Sequence, residues 1–269
     1  MISCKTTEAG LGKIHTLKVM SFNVRYENTG DTGDRSWNKR RAAVLAMLAD
    51  QQPDIMGVQE TLLSQKTYLD QKLTGYKSIG VGRNDGFDKG EFAAIFYRKK
   101  TLKPDNWGTF WLSETPDIPS KGWDANIYRS ATYAVFTHIK SGKKIFIINT
   151  HLDHQGTIAR AESMKLIEKK IKELNIDNYP SILTGDFNMP ISDASFDSIK
   201  MFMGDARMDS PETDSLLSFN NWGGSGTGTI DHIFCLGITP QNFHTITRHY
   251  LGINYISDHY PVTAEFQFE

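Results

Sequence analysis

Short apolar runs bounded by turn residues recur along the chain, interrupted by stretches of helical period. Leu17–Val24 predicts a strand. Lys39–Asp50 predicts a helix with Val44, Leu45 and Leu48 turned inward, stopped before Pro53. Ile55–Gln59 predicts a buried strand and Lys66–Leu73 a short helix. Tyr76–Gly82 and Phe92–Tyr97 predict strands split by the turn-rich Arg83–Gly90. Asp105–Leu112 and Ala131–His138 predict strands around a long, proline-containing loop, and Lys144–Thr150 another after the Ser141-Gly142-Lys143 turn. Thr157–Leu174 is the strongest helix, with Ile158, Ala161, Met164, Ile167, Ile171 and Leu174 at spacings of three and four. Ser181–Gly185, Thr229–Cys235 and Val262–Phe268 predict late strands. Strands and helices alternate but hairpin-like pairs occur too, so mixed sheets covered by helices are expected.

Chemistry sits where the apolar runs end. The run at Val19 leads into Asn23, and that at Ile55 into Glu60. Ile145–Thr150 leads into His151, Asp153 and His154, and Ile182–Gly185 into Asp186 and Asn188. Ile230 precedes Asp231-His232, and Ile256-Ser257 precedes Asp258-His259. Each residue alone has an ordinary reading: Asn23 as a turn or cap, Glu60 as a first-turn acid, Asp186 and Asn188 as an Asx turn. Strand ends of one sheet can converge on one edge, however. A cluster of Glu, Asp, Asn and His there suits a hard divalent cation and a phosphate ester.

Phe22-Asn23, Gln59-Glu60, Thr150-His151-Leu152, Gly185-Asp186-Phe187-Asn188, Ile230-Asp231-His232-Ile233-Phe234 and Ser257-Asp258-His259 together resemble the endonuclease/exonuclease/phosphatase superfamily, the DNase I-like fold, from about Leu17 to Phe268. The resemblance implies an α+β, four-layer α/β/β/α sandwich of two mixed, mostly antiparallel sheets with helices outside. It also implies hydrolysis of phosphate esters with Mg²⁺ or Mn²⁺. By that likeness Glu60 is the principal metal ligand, with Asn23 beside the ion and Asp258 close to it or to a second one. Asp231 and His259 form a pair, acting as general base or as phosphate stabiliser. Asp186 orients or deprotonates the attacking water, while Asn188 and His151 bind the scissile phosphate.

Phe110–Asp117, Gly122-Trp123-Asp124-Ala125, Arg129 and Gly90–Tyr97 are similar to a narrower bacterial and fungal branch of metal-dependent hydrolases, and the Thr-His-Leu region to the deadenylase-like branch. Arg129, His154 and Trp222 are expected at the substrate. For Arg129 a surface pairing with Asp124 is an equal alternative, and for Trp222 a place in the core. Arg35–Arg41 is basic and reads as a solvated helix start.

The chain has 269 residues with 30 Lys+Arg against 31 Asp+Glu, a formal net charge of −1. That excludes a strongly basic nucleic-acid coat protein, and favours a small soluble phosphate ester over DNA or RNA as partner. A nuclease or deadenylase-like enzyme is the alternative; a catalytically silent scaffold would have lost some of Glu60, Asp186, Asp231 or His259. Two cysteines, Cys4 and Cys235, make no disulfide framework. No run of about 18 apolar residues predicts a membrane span. No Gly-x-Ser-x-Gly elbow suggests a serine hydrolase. Residues 1–15 are expected to be a flexible segment and 16–269 one catalytic domain, monomeric by default. The compartment stays open: Met1-Ile2-Ser3-Cys4 is compatible with export as a trimmed lipoprotein.

Overall fold

The structure, a computed structural model, describes residues 15–268. All but His15 of the expected flexible segment, Cys4 included, lies outside the described residues. In chain order the strands are β1 (His15–Asn23), β2 (Ile55–Thr61), β3 (Tyr76–Ile79), β4 (Phe92–Arg98), β5 (Leu102–Trp111), β6 (Ser130–His138), β7 (Lys144–His151), β8 (Ser181–Asp186), β9 (Gly204–Asp205), β10 (Asp231–Leu236), β11 (Thr239–Thr245) and β12 (Val262–Phe268). The helices are α1 (Trp37–Gln51), α2 (Leu63–Lys72), α3 (Thr157–Leu174), α4 (Asp197–Phe202) and α5 (Ala206–Asp209).

The strands form two six-stranded sheets, ordered β11-β12-β1-β2-β4-β3 and β5-β6-β7-β8-β10-β9. Each has one parallel pair at its centre, β1 with β2 and β7 with β8, and antiparallel pairs elsewhere. The two parallel pairs are joined by the long helices α1 and α3, as parallel neighbours require.

Side chains of alternating parity explain the layers. Leu17 and Val19 of β1 meet Ile147, Ile182 and Ile233 of the other sheet in a core between the sheets. Met20 and Phe22, of the opposite parity, pack outward with Trp37, Val44, Met47 and Leu48 of α1. On the far side Phe146, Ile148 and Leu183 pack with Met164, Ile167 and Ile171 of α3 and Ile199 of α4. The sheets are thus apolar on both faces, and the architecture is the expected α/β/β/α sandwich of DNase I-like type. No helix among the described residues is long and apolar enough to cross a membrane.

Several expectations change in detail. The apolar stripe of α3 is Ala159, Met164, Ile167 and Ile171, while Ile158, one residue and about 100° before Ala159 on the helix, points to solvent. The basic start of α1 is not uniformly solvated: Arg40 is completely buried. Strand β11 carries Pro240 on a sheet edge beside a bulge, a place where proline costs no ladder bond.

Beneath the strand ends a polar bolt joins the sheets. Asn149 of β7 donates from Nδ2 to the carbonyls of Val58 (2.9 Å) and Ala94 (3.0 Å). Its Oδ1 accepts from Gln59 Nε2 at 2.6 Å and Thr184 Oγ1 at 3.1 Å. Gly57 leaves room for this contact, since a Cβ there would lie 2.2 Å from Thr184 Oγ1.

Candidate active site

The parallel pairs decide where the chemistry gathers. Asn23 ends β1, His151 ends β7 and Asp186 ends β8, and Glu60 is the residue before the last of β2. All four therefore stand at the carboxyl ends of parallel strands, where open sheets place their ligands. Asp231 starts the antiparallel β10 directly opposite Asp186, so it reaches the same edge from the other direction. Asp258 and His259 lie just before β12.

Glu60 has a left-handed backbone (φ 58°) within a register shift between β2 and β4. A bulge of this kind re-aims a side chain, and non-glycine residues hold such a conformation where surrounding structure fixes it. Its Oε1 accepts from Asn23 Nδ2 at 3.0 Å and its Oε2 from the Tyr26 N–H at 3.2 Å. Asn23 Nδ2 also donates to Asp186 Oδ2 at 2.9 Å, so one amide links the two sheets. Asn23 Oδ1 accepts from the Arg25 N–H at 2.9 Å. The asparagine expected among the metal ligands thus turns its NH₂ to two carboxylates.

Asp186 is buried. Its Oδ1 accepts from the Asn188 N–H at 3.0 Å, while Oδ2 lies 3.4 Å from His151 Nε2 and 3.7 Å from His259 Nε2. Burial, reinforced by the nearby Asp231, raises its pKa to about 7 against the opposing pull of His259. His259 Nδ1 donates to Asp231 Oδ2 at 2.8 Å, and the Phe219 ring covers the imidazole at 4.9 Å between centroids. Burial alone would lower the His259 pKa, but Asp231 and Asp186 outweigh it and raise it to about 10. His151 is the reverse: burial, with Arg129 and Arg83 nearby, holds it neutral, well below the usual value. Its Nε2 accepts from Asn188 Nδ2 at 3.1 Å. One imidazole is therefore cationic and the other neutral at the same edge.

Glu60, His151, Asp186, Asn188, Asp258, His259, Arg129 and His154 line one cleft of about 590 Å³. Asn23 and Asp231 stand directly behind it through the bonds above. Arg129 is buried and does not pair with Asp124, which instead accepts the Ala159 N–H at 2.6 Å and caps α3. Arg129 Nε lies 3.5 Å from Asp153 Oδ2, its Nη2 donates to His154 Nδ1 at 3.1 Å, and its Nη1 has no partner. Trp222 is not among the cleft-lining residues. It is half-buried, and its ring lies 5.8 Å from the guanidinium carbons of both Arg35 and Arg40, a polar setting and not an apolar core. The cause is local: Asn221 and Trp222 both adopt left-handed backbones, which turn the ring toward α1.

Three supporting residues were not among the expected site residues. Arg40 donates to the carbonyls of Val24, Arg25 (2.5 Å), Ile256 (3.2 Å) and Arg35 (3.0 Å), tying the segments that carry Asn23 and Asp258 to α1. Arg83 and Glu91 form a bidentate pair in the cleft wall. Their bracketing of a turn-rich segment was the available signal.

Residues 20–259 match the model of the Endonuclease/Exonuclease/phosphatase family. The chain belongs to that family. It is a hydrolase of phosphate esters. A crystal structure of a family protein from Bacteroides thetaiotaomicron superposes with a TM-score of 0.90 at 37% identity, covering 96% of this chain and 99% of that one. A mannosyl-6-phosphatase of the same organism gives 0.89 at 38%, covering 94% and 100%. The human nocturnin catalytic domain gives 0.75 at 17%, covering 94% of each, which is a likeness of fold. Family members typically use divalent metals, and ligand atoms of Glu60, His151 and Asp186 lie within 4.8 Å of one another. Glu60 and Asp258 both line the cleft and offer hard oxygen donors. The described thiol, Cys235, is buried in β10, where burial pushes its pKa up to about 12. The donor set thus fits Mg²⁺ or Mn²⁺ and not a thiolate-seeking metal.

Proposed function

We propose that the chain hydrolyses a small soluble phosphate ester by direct attack of water, assisted by Mg²⁺ or Mn²⁺ held at Glu60 and Asp258. The observation that carries this reading is the meeting of Asp186, His151, Asn188 and His259 in the same cleft as Glu60: Asn188 bonds to Asp186 and His151, and Asp186 Oδ2 lies 3.4 Å from His151 Nε2 and 3.7 Å from His259 Nε2. Bound there, the cation neutralises phosphate oxygens and favours the leaving group. Asp186 accepts a proton from the water it orients, and its raised pKa suits a base acting near neutrality. His259, kept protonated by Asp231, stabilises charge on the phosphate. Asn188, positioned by the neutral His151, turns its amide to a phosphate oxygen, and Arg129 Nη1 offers a further donor. The likeness to a mannosyl-6-phosphatase supports a phosphomonoester on a sugar.

The test is an assay of p-nitrophenyl phosphate, bis(p-nitrophenyl) phosphate, hexose 6-phosphates, DNA and RNA, with Mg²⁺ or Mn²⁺ and after exhaustive chelation. Cation-dependent release of phosphate from the monoesters is expected. Undiminished activity after chelation would remove the metal, and preferred cleavage of DNA or RNA would remove the small substrate.

A further inference from the structure

We propose that Glu91, held by Arg83, is the specificity-determining acceptor for adjacent hydroxyls on the alcohol part of the substrate. The cleft would then take phosphate esters of polyhydroxylated rings. This rests on the phosphate-ester reading above and deepens it.

The backbone fixes the pair. Phe92 opens β4 opposite Thr61, immediately after the bulge that carries Glu60, so Glu91 stands at the same strand edge as Glu60. A bridge between Gly82 and Phe92 and the bond from the Arg83 N–H to the Glu91 carbonyl (3.1 Å) set Arg83 across from Glu91. A Cβ at Gly82 would lie 2.4 Å from the Lys89 carbonyl, so the turn closes tightly. Asp85 Oδ1 accepts the N–H groups of Phe87, Asp88 and Lys89 at 2.9–3.1 Å and stiffens the turn between them. Arg83 Nη1 and Nη2 then donate to Glu91 Oε2 and Oε1 at 2.8 and 2.7 Å.

A carboxylate in the wall of an anion-binding cleft needs a reason, because it repels phosphate. The guanidinium cancels that repulsion. The same guanidinium already occupies one site on each Glu91 oxygen. What remains is one free lone-pair site on each of two side-by-side oxygens, which neutral O–H donors can use. Two neighbouring hydroxyls match two neighbouring oxygens. Glu91 and Arg83 line the cleft of about 590 Å³ together with Glu60, Arg129 and His151, so the pair stands beside the reacting end with room for a ring next to it. Arg129, 4% exposed and lining the same cleft, is left for the phosphate by its unpartnered Nη1, so the Arg83–Glu91 pair is free for the alcohol part. A pyranose phosphate and a cyclitol phosphate present the same chemistry, and the experiment separates them.

The wild-type chain is assayed with mannose 6-phosphate, its 2-, 3- and 4-deoxy analogues, myo-inositol 1-phosphate and p-nitrophenyl phosphate. Glu91→Gln is assayed in parallel. At least one deoxy analogue is expected to lose roughly ten- to hundredfold in kcat/KM, the scale of a lost hydrogen bond to a charged group. Glu91→Gln should lower kcat/KM for the polyol phosphate at least tenfold more than for the aryl phosphate, mainly through KM. Dependence on the cyclitol in place of the hexose would support the same recognition and name its source. Deoxy analogues equal to the parent would overturn the proposal without any variant, as would equal losses of Glu91→Gln on both substrates. An active enzyme without hydroxyl preference would sink this inference alone, whereas inactivity on every ester with either metal would sink the phosphate-ester reading and this one together.

Discussion

The two sheets share one plan, a parallel pair joined by a long helix and flanked by antiparallel strands, but they bring unlike chemistry to the cleft. The sheet of β1 and β2 presents Asn23 and Glu60, with Asp258 arriving before β12. The sheet of β7 and β8 presents His151 and Asp186, with Asp231 opposite. Their supports are opposite in charge. Beside β1 the buried cation Arg40 collects the carbonyls of Val24, Arg25, Arg35 and Ile256. Beyond β7 the buried anion Asp153 collects the N–H groups of Gln155 (3.0 Å) and Gly156 (2.8 Å), with the Arg129 guanidinium 3.5 Å away. One backbone plan thus supplies Glu60 and Asp258 as carboxylates suited to a cation, with His259 beside them, from one sheet, and the buried Asp186 beside His151, suited to water and phosphate, from the other. The residues at the strand ends make the difference.

The sharpest way to break this division is a pair of near-isosteric substitutions, one per sheet. Asp186→Asn should lower kcat by ~10²–10⁴-fold, the usual range for losing a general base, and added Mg²⁺ should not restore it. Glu60→Gln should raise the Mg²⁺ concentration for half-maximal rate at least tenfold, with much of the rate regained at saturation. Magnesium titrations of the two variants check both. If saturation rescued both alike, or neither, the sheets would not divide the labour.

The second test addresses the supports. Each buried acceptor left without a donor costs about 1–3 kcal/mol, so Arg40→Met should destabilise the fold by roughly 3–5 kcal/mol. Denaturant unfolding measures it. Burial lowers the Arg40 pKa only to about 10, so the group is a cation across the neutral range. A loss below about 1 kcal/mol would mean that the four carbonyls find other donors, and Arg40 would no longer count as the counterpart of Asp153.

What was legible in the sequence divides along the same physical lines. Asn23, Glu60, His151, Asp186, Asp231 and His259 stood out because each interrupts an apolar run, and a polar group at the end of a buried strand needs a partner. The sheets and long helices followed from period alone. Arg40 did not show itself, because a buried arginine within a basic helix start looks like its solvated neighbours until the carbonyls around it are known. The Gln59–Asn149–Thr184 bolt was hidden for a related reason: its members lie far apart in sequence and meet only when the two sheets pack. Strand β11 escaped because Pro240 speaks against a strand unless the strand lies at an edge. The stacking of Trp222 against Arg35 and Arg40 was hidden because its left-handed backbone, unusual for a tryptophan, cannot be read from residue type.

The smallest expected effect lies at the anion support. Burial would raise the Asp153 pKa, but the N–H groups of Gly156, Gln155 and Asn126, together with Arg129, outweigh it and hold the carboxyl at about 2. A carboxyl depressed below its ordinary value of about 3.9 stabilises the fold fully above that value. The contribution is lost as pH falls from near 4 through about 2, where the folded carboxyl also takes a proton. The scale is about 2.5 kcal/mol, from 1.36 kcal/mol per pKa unit. Asp153→Asn should therefore cost about 2.5 kcal/mol at pH 7, with the gap to wild type narrowing between about pH 4 and pH 2. Arg40→Met, whose cation does not titrate there, should show no such narrowing. Urea unfolding of wild type and both variants at pH 7, 4 and 2.5 gives the comparison. A wild-type advantage over Asp153→Asn that stayed constant with pH would mean that packing, and not the charge gathered by those N–H groups, holds the β7 side.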